Sequence, residues 1–260
     1  MLGSIDPVFV LAGFLVGVLV GQTGVGGGSL MTPLLVLGFG VNPMSAVGTD
    51  LLFAAATKSA GTLAHGLNRT VDWRLVGWMA TGSVPAGAAA LVLLARMPPD
   101  DSLGAFIRTV LGGALLLTSV VMLVRRPMLH WLALHRKASL SPGATAALTV
   151  ALGAVLGLLV TLSSVGAGAL GIPALLLIYP HQRSAVLVGS DIAHAVPLTL
   201  LAGVGHWWLG SADLHLLASM LTGSVPGVVL GSHFAARLPE ALTRTVLATL
   251  LVIAGARLLF

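Results

Sequence analysis

Apolar segments of roughly membrane length follow one another along almost the whole chain, separated by short polar or glycine-rich stretches. A transmembrane helix needs about 20 mostly apolar residues. The pattern predicts five helical segments in each half, at 7–21, 29–39, 44–66, 73–96 and 103–124, then at 144–162, 169–179, 184–206, 213–236 and 240–259. The second segment of each half is short, because its 11 residues reach only about half of the hydrocarbon core.

The composition agrees with lipid as the solvent. Of the 260 residues, 57% are hydrophobic and 8% are charged, whereas a soluble domain averages about 25% charged residues. Lys and Arg lie mainly in short loops, as in membrane proteins, and form no basic patch for nucleic acid. The chain has no cysteine, no zinc-protease or serine-hydrolase motif and no phosphate-binding loop. We therefore expect a protein that is not an enzyme and that holds no cofactor or metal.

The two halves of the chain repeat one another. The stretch "TGSVP" at 81–85 recurs unchanged at 222–226, and "GTD" at 48–50 corresponds to "GSD" at 189–191, both with an offset of 141. Before that point the offset is 140, so that the glycine-rich stretch ending at Pro33 matches the one ending at Pro173. Internal repeats of this kind indicate a duplicated unit. The predicted organisation is a first membrane repeat (1–124), a basic, loop-like linker (125–143) and a second membrane repeat (144–260).

Charge distribution predicts how the repeats are oriented. If every segment crosses the membrane, each half has an odd number of spans and the halves are inverted. With the central loop in the cytoplasm, nine of the 12 Lys and Arg residues other than Lys58 are then cytoplasmic. If the two short segments are re-entrant, only seven are. The positive-inside rule favours the first arrangement. We expect an all-α polytopic membrane protein with two inverted repeats and a cytoplasmic central loop.

Each short segment follows a glycine-rich break, at 21–29 and at 163–168. Breaks at matching positions of two repeats mark the substrate site of many transporters, where irregular backbone lines a cavity. Free N–H groups and the positive end of a helix dipole favour an anion there, and we expect Ser29 to cap the first short helix. The alternative is that the glycines serve close helix packing. The predicted substrate-binding residues are Gln22, Thr23, Gly24, Gly26, Gly27, Gly28, Ser29, Thr49, Ser163, Ser164, Gly166, Gly168 and Ser190.

Four ionisable residues lie inside apolar segments, namely Asp50, Lys58, Asp191 and His194. A charge at such a depth costs at least about 2.5 kcal/mol and indicates function. Asp191 and His194 are neighbours on a helix face, as are Lys58 and His65. One interpretation is therefore a proton relay, or countercharges for the substrate.

Two other interpretations of the carboxylates remain open. Asp50 follows Thr49, and Asp191 follows Ser190, near predicted helix starts, so each carboxylate could cap a helix or pin a loop. The pair could also bind a cation. His65 and His206 lie near helix ends, where we expect them at the membrane interface.

The stretch "GVGGGSLMTPLLVLGFGVNPMSAVGTDLL", followed by "HGLNRTVDWRLVGWMATGSVPAG", resembles the TauE/SafE sulfite exporter family. The similarity covers nearly the whole chain, because the second half repeats the pattern in degraded form. It implies a bacterial or archaeal inner-membrane permease for sulfite, sulfonates, thiosulfate or related anions. The positions that match are Gly24, Gly26, Gly27, Gly28, Pro33 and Thr49, with Gly166, Gly168, Pro173 and Ser190 as their counterparts. The chain departs from the family at Asp50 and Asp191, where a small polar residue is common.

We therefore expect a secondary transporter that exports sulfite, another sulfur oxyanion or an organosulfonate by alternating access. Its four buried ionisable residues would serve proton coupling or charge balance. The expected partners are a small anion and the lipid bilayer, without nucleic acid, and the pattern is compatible with a homo-oligomer. The alternatives are a passive anion channel and a permease for a cation or metal that uses Asp50 and Asp191.

Overall fold

The computed structural model describes residues 5–23, 28–98, 101–135, 141–234 and 240–260. Those ranges form α-helices joined by short loops and contain no strand, which confirms the all-α prediction. The helices are α1 (Pro7–Thr23), α2 (Gly28–Pro33), α3 (Pro43–Leu67), α4 (Trp73–Arg96), α5 (Asp101–His135), α6 (Pro142–Ser163), α7 (Gly171–Ile178), α8 (Ser184–Trp208), α9 (Leu214–Phe234) and α10 (Glu240–Leu259). A π-helical turn, Leu34–Gly38, continues α2.

Five of these helices contain a segment long and apolar enough to cross a membrane, which supports a polytopic membrane protein. At 1.5 Å per residue, about 20 residues match the hydrocarbon core. Shorter apolar segments lie in α1 and α10, at Pro7–Val20 and Thr245–Leu259. The five candidate spans are Trp73–Arg96, Ser102–Val124, Pro142–Ser163, Ser184–Trp208 and Leu214–Gly231.

The linker predicted as a loop at 125–143 is partly helical, so that prediction is wrong for its first part. Helix α5 continues through Pro127 to His135 before the chain reaches 141. The residues from 128 to 135 are Met, Leu, Ala, His and Trp, which a helix accommodates. Pro127 is tolerated as a kink, whereas the Ser, Pro and Gly residues that end helices come only at 139–143.

Every long helix packs on a helix of the other half. The first helix of each half packs on the fourth helix of the other, giving the pairs α1 with α9 and α6 with α4. The third helices, α3 and α8, pack on each other, and so do the fifth, α5 and α10. The pairing is therefore unchanged when the two halves are exchanged, as a duplicated unit requires.

Glycine contacts show the direction of the central pair, α3 and α8. A Cβ added to Gly48, near the start of α3, would meet His206 near the end of α8. A Cβ added to Gly189, near the start of α8, would meet His65 near the end of α3. The third helices of the two halves therefore run antiparallel and place their N-terminal parts at opposite ends of the pair.

Backbone contact also fixes the outer pairs. A Cβ on Gly82 of α4 would collide with the carbonyl oxygen of Val150 in α6. The repeat-equivalent Gly223 of α9 stands in the same relation to the carbonyl oxygen of Val10 in α1. These close approaches hold α4 against α6 and α9 against α1. The central pair, α3 and α8, contacts α9 and α4 respectively and carries the buried ionisable residues Asp50, Lys58, Asp191 and His194.

Candidate functional site

The second glycine-rich break lies between α6 and α7 and is built from unusual backbone. Ser164 has φ 59°, Gly166 has φ 122° and Gly168 has φ 94°. The first is the left-handed region, which is costly for a residue with a Cβ. Strain of this kind at a buried position is typical of a functional site. The predicted break is therefore present here, between two buried helix ends.

The first break is only partly described. Gly24, Gly26 and Gly27 lie outside the described residues, and so do the side chains of Gln22, Thr23 and Ser29. Their predicted contact with the substrate therefore stays a prediction. Gly28 already belongs to α2, so Ser29 lies within the helix. The expectation that Ser29 caps this helix is wrong, because a capping residue has non-helical backbone.

Asp50 of α3 lies between α2 and the second break. The Thr32 hydroxyl of α2 donates a hydrogen bond to Asp50 Oδ2. Ser164 in the second break is close enough to influence the same carboxylate. Nevertheless, Asp50 Oδ1 and Ser164 Oγ have no hydrogen-bond partner in the described part of the chain. Both atoms therefore lie close together in the core without a hydrogen bond of good geometry.

Asp191 of α8 lies against the start of α7. A Cβ on Gly171 would collide with Asp191 Oδ1, and the backbone of Gly168 faces the same carboxylate. The side chain is 0% exposed. Neither of its oxygens has a hydrogen-bond partner of good geometry among the described residues.

Lys58 of α3 brings a positive charge to the second break. Its Nζ donates to the carbonyl oxygen of Ala167 at 3.4 Å, and the residue is only 8% exposed. It interacts electrostatically with both Asp50 and Asp191. No ion pair within 4.0 Å forms between them in the described structure, so the ammonium group retains capacity for a further acceptor.

His194 completes this group from one turn along α8. Its Nε2 lies 2.7 Å from the Ser83 hydroxyl of α4, whereas its Nδ1 is buried without a partner in the described chain. Its neighbourhood with Asp191 was predicted from their spacing. Lys58 and His65, which were expected on one helix face, have different partners. Lys58 bonds to Ala167, whereas His65 Nδ1 lies 2.8 Å from Thr70 Oγ1.

Thr49 and Ser190 have structural partners. The Thr49 hydroxyl accepts a hydrogen bond from the Asp213 N–H at 2.9 Å, and the Ser190 hydroxyl accepts one from the Asp72 N–H at 2.8 Å. Asp213 caps α9 and Asp72 caps α4. Each hydroxyl therefore binds a loop that belongs to the other repeat. The predicted contact of Thr49 and Ser190 with substrate stays a prediction.

Two other expectations are wrong. Asp50 lies about two turns inside α3, which begins at Pro43, and Asp191 lies equally deep in α8. Neither carboxylate can therefore cap its helix. His206 is not interfacial, because it is 0% exposed, with Nδ1 3.1 Å from Ser211 Oγ and Nε2 2.9 Å from the Thr161 carbonyl oxygen.

Ser163 does not point a free hydroxyl into the site. It donates to the Leu159 carbonyl oxygen at 2.6 Å and accepts from the Val165 N–H at 3.2 Å. Those bonds end α6 at the break. Ser164 is therefore the serine of this pair that is available to a ligand.

The arrangement as a whole is a buried polar site at the second break. Its members are Asp50, Lys58, Ser164, Asp191 and His194, which we call the central polar site. A buried polar atom that lacks a partner costs about 1–3 kcal/mol. Several such atoms around one ammonium group are explained if the site exchanges partners during function.

Three groups that bond to the central polar site were not found from the sequence, namely Thr32, Ser83 and the carbonyl of Ala167. Thr32 precedes the proline of the first break, and Ser83 lies inside the repeated "TGSVP". Their position within those two motifs was the only feature of the sequence that could have marked them as site residues. Their role depends on which helices pack together, which a single sequence does not specify.

Comparison with known proteins gives consistent matches over the whole chain. The family model described as sulfite exporter TauE/SafE matches residues 9–258. "Probable membrane transporter protein YjnA" of Bacillus subtilis (strain 168) is 36% identical over 251 residues, which cover 96% of this chain and 98% of that protein. "Probable membrane transporter protein YdhB" of the same organism is 27% identical over 251 residues, covering 96% and 99%. No solved structure matches the chain.

Proposed function

The chain belongs to the TauE/SafE sulfite exporter family of membrane transporters, and on that premise we propose that it is a secondary transporter of a small sulfur anion. Sulfite, another sulfur oxyanion or an organosulfonate is the proposed substrate, and the inner membrane is the proposed location. The names of the family and of the relatives point to a transporter and not to an enzyme.

The observation that carries the proposal is the buried ammonium group of Lys58 at a helix break. A buried cation without an ion pair is costly, and within a membrane protein such a residue marks a substrate or ion pathway. The N-terminal turn of α7 adds N–H groups and a positive dipole end on the same side of the break. Ser164 adds an unpaired hydroxyl. Together these groups fit an oxyanion or a sulfonate.

A cation substrate fits the central polar site less well. Lys58 acts on both carboxylates, and its charge opposes a second cation beside them. No cluster of three or more His, Asp or Glu residues that could hold a metal ion occurs in the described ranges.

Alternating access requires two arrangements of the same helices. The antiparallel direction of α3 and α8 supports an inverted relation between the halves, in which exchange of their conformations exposes the site to the other side. We propose that the central loop is cytoplasmic, as the distribution of Lys and Arg favours.

Counterflow into proteoliposomes tests whether the protein is a carrier. Vesicles loaded with unlabelled sulfite should take up external radiolabelled sulfite transiently and saturably, faster than empty vesicles. A passive channel would give flux proportional to concentration, without stimulation by internal anion. No uptake above protein-free vesicles, with sulfite, thiosulfate or sulfoacetate, would contradict the proposed substrate class.

The Lys58→Met substitution tests the site itself. A hydrogen bond to a charged group contributes about 1.5–3 kcal/mol, so the apparent affinity for anion should fall by about tenfold or more. Arg108→Gln removes a positive charge from an exposed position on α5 and should leave counterflow near the wild-type rate. Equal loss in both variants would show that net charge matters and not the position of Lys58.

A further inference from the structure

Asp50 and Asp191 occupy equivalent positions in the two repeats, but the residues around them differ. Thr32 donates to Asp50, whereas the equivalent residue in the second half is an isoleucine, which cannot donate a hydrogen bond. The equivalent pairs that differ are Thr32 and Ile172, Lys58 and Thr199, and Phe53 and His194. The duplication has kept both carboxylates and changed the groups around them, so we expect the two carboxylates to have different roles.

Asp191 lies in the position where an anion is expected. Its Oδ1 is in contact with Gly171, the first residue of α7. It also faces the Gly168 backbone and interacts with the charge of Lys58. The proposed anion would use these same groups. The carboxylate of Asp191 therefore has the place and the charge of a substrate.

We propose that Asp191 is an internal competitor for the transported anion and that uptake of one proton by its carboxylate removes the competition. The proton comes from solution and converts the carboxylate into a neutral carboxylic acid. Lys58 and the N-terminal turn of α7 are then available to the anion. When the anion leaves, Asp191 returns the proton and faces Lys58 again. This inference rests on the proposed function, because it takes the anion site as given.

A proton is the coupling ion that fits this position. A metal ion would need several further oxygen ligands and would lie beside Lys58. A proton needs only one carboxylate oxygen, and neither oxygen of Asp191 has a hydrogen-bond partner of good geometry among the described residues. The side chain is 0% exposed, so protonation must accompany a change that opens the site to water.

The titratable groups around Asp191 come from two helices. Lys58 faces it from α3 and also interacts with Asp50, and His194 follows it by one turn on α8. His65 of α3 lies beside Gly189, held by Thr70. Helices α6 and α7 contain no titratable side chain, and α4 carries arginines only near its two ends. His194 is therefore the other candidate proton carrier that a test must separate from Asp191.

If protonation and anion binding favour each other, each must raise the affinity for the other by the same factor. The affinity for anion should then fall by up to about tenfold for each unit of rising pH, the limit for one proton per anion. Anion binding should also remove protons from a weakly buffered solution.

The test is equilibrium binding of radiolabelled thiosulfate and sulfoacetate to the purified full chain across the neutral pH range, with a pH-indicating dye in parallel. The net charges of both probes change little in that range. Wild-type protein should bind more tightly at lower pH and take up protons as it binds. Asp191→Asn should bind with an affinity independent of pH and without proton uptake. Asp50→Asn and His194→Gln should keep the pH dependence, whatever their effect on affinity.

Two results would overturn the inference while leaving the proposed function in place. One is anion binding by wild-type protein without proton uptake, which needs no variant to fold. The other is an unchanged pH dependence in Asp191→Asn, or its loss in His194→Gln alone. If neither probe binds to the wild-type protein or to Asp191→Asn at any pH, the proposed function fails and the inference fails with it.

Discussion

At the scale of single residues, the buried polar side chains of α3 and α8 form two sets. Thr49, Ser190 and His206 are hydrogen-bonded to loops or backbone of other elements. Thr49 and Ser190 thereby join one repeat to the other, whereas the partners of His206 lie in its own repeat. Asp50 and Asp191 keep unpaired atoms and lie around a single lysine. Only the second set has the capacity to change partners, and we propose that the transport chemistry belongs there.

The hydrogen bond from Thr32 to the buried carboxylate of Asp50 should stabilise the folded protein. Thr32→Val keeps the shape of the side chain but leaves Asp50 without its hydroxyl donor, a loss that typically costs about 1–3 kcal/mol. Thermal unfolding of the purified protein in detergent should show a lower midpoint. Thr32→Ser, which retains the hydroxyl, is the control. Equal midpoints for wild type and Thr32→Val would mean that this hydrogen bond contributes little.

The ionisable members of the central polar site could be predicted because a charge inside an apolar segment stands out from its surroundings. Thr32 and Ser83 could not, because a hydroxyl in a membrane helix is common and often bonds its own backbone. Nor did anything in the sequence indicate that Asp50 has a hydroxyl donor and that Asp191 lacks the equivalent one. This difference arises from Thr32 and Ile172, which lie 18 and 19 residues before the two carboxylates.

At the scale of elements, glycine has two separate roles. Gly166 and Gly168 allow the backbone of the second break, whereas Gly82 and Gly223 allow helices to touch backbone to backbone. The glycines of the second break therefore differ in role from the glycines between packed helices, and the predicted contact of the break with substrate stays a prediction. The breaks shape the site, and the close contacts fix the helices that carry it.

Gly82→Ala should destabilise the protein through the contact between α4 and α6. Its Cβ would meet the backbone of Val150, which no side-chain rotation can relieve, and overpacking of this kind costs about 1–3 kcal/mol. Gly77→Ala on the same helix is the control, because a Cβ there meets nothing within 4 Å. It should be neutral or slightly stabilising. Similar unfolding midpoints for the two variants would contradict the close packing.

Element positions were largely predictable, since apolar length and glycine or proline breaks govern where membrane helices begin and end. The exception is α5, which passes Pro127 and continues to His135. Charge and proline indicated a loop there. A membrane helix that emerges into water can continue as long as its residues favour helix.

At the scale of the whole molecule, the two halves contribute unequally to one site. Of the central polar site, Asp50 and Lys58 come from the first half, and Ser164, Asp191 and His194 come from the second. The pairing of helices across the halves brings these groups together. A sequence comparison of the halves reveals the duplication, but only their packing reveals that neither half holds a complete site.

Inverted repeats require equivalent loops on opposite sides of the membrane. The chain has no cysteine, so single cysteines can be introduced without further changes. Asn68→Cys, after α3, and the repeat-equivalent Leu209→Cys, after α8, both lie at exposed positions. In intact cells an impermeant thiol reagent should label Leu209→Cys and reach Asn68→Cys only after permeabilisation. Labelling of both from one side would contradict the inverted arrangement.

The central claim is that proton and anion move together through the site at Asp191 and Lys58. The most direct test is uptake of radiolabelled thiosulfate into proteoliposomes with and without an imposed pH gradient, against protein-free vesicles. An acidic exterior should drive saturable accumulation of the anion above its external concentration, and collapse of the gradient should release it. Saturable uptake that ignores the gradient would contradict proton coupling, and the absence of uptake for thiosulfate, sulfite and sulfoacetate alike would contradict the proposed sulfur-anion transport.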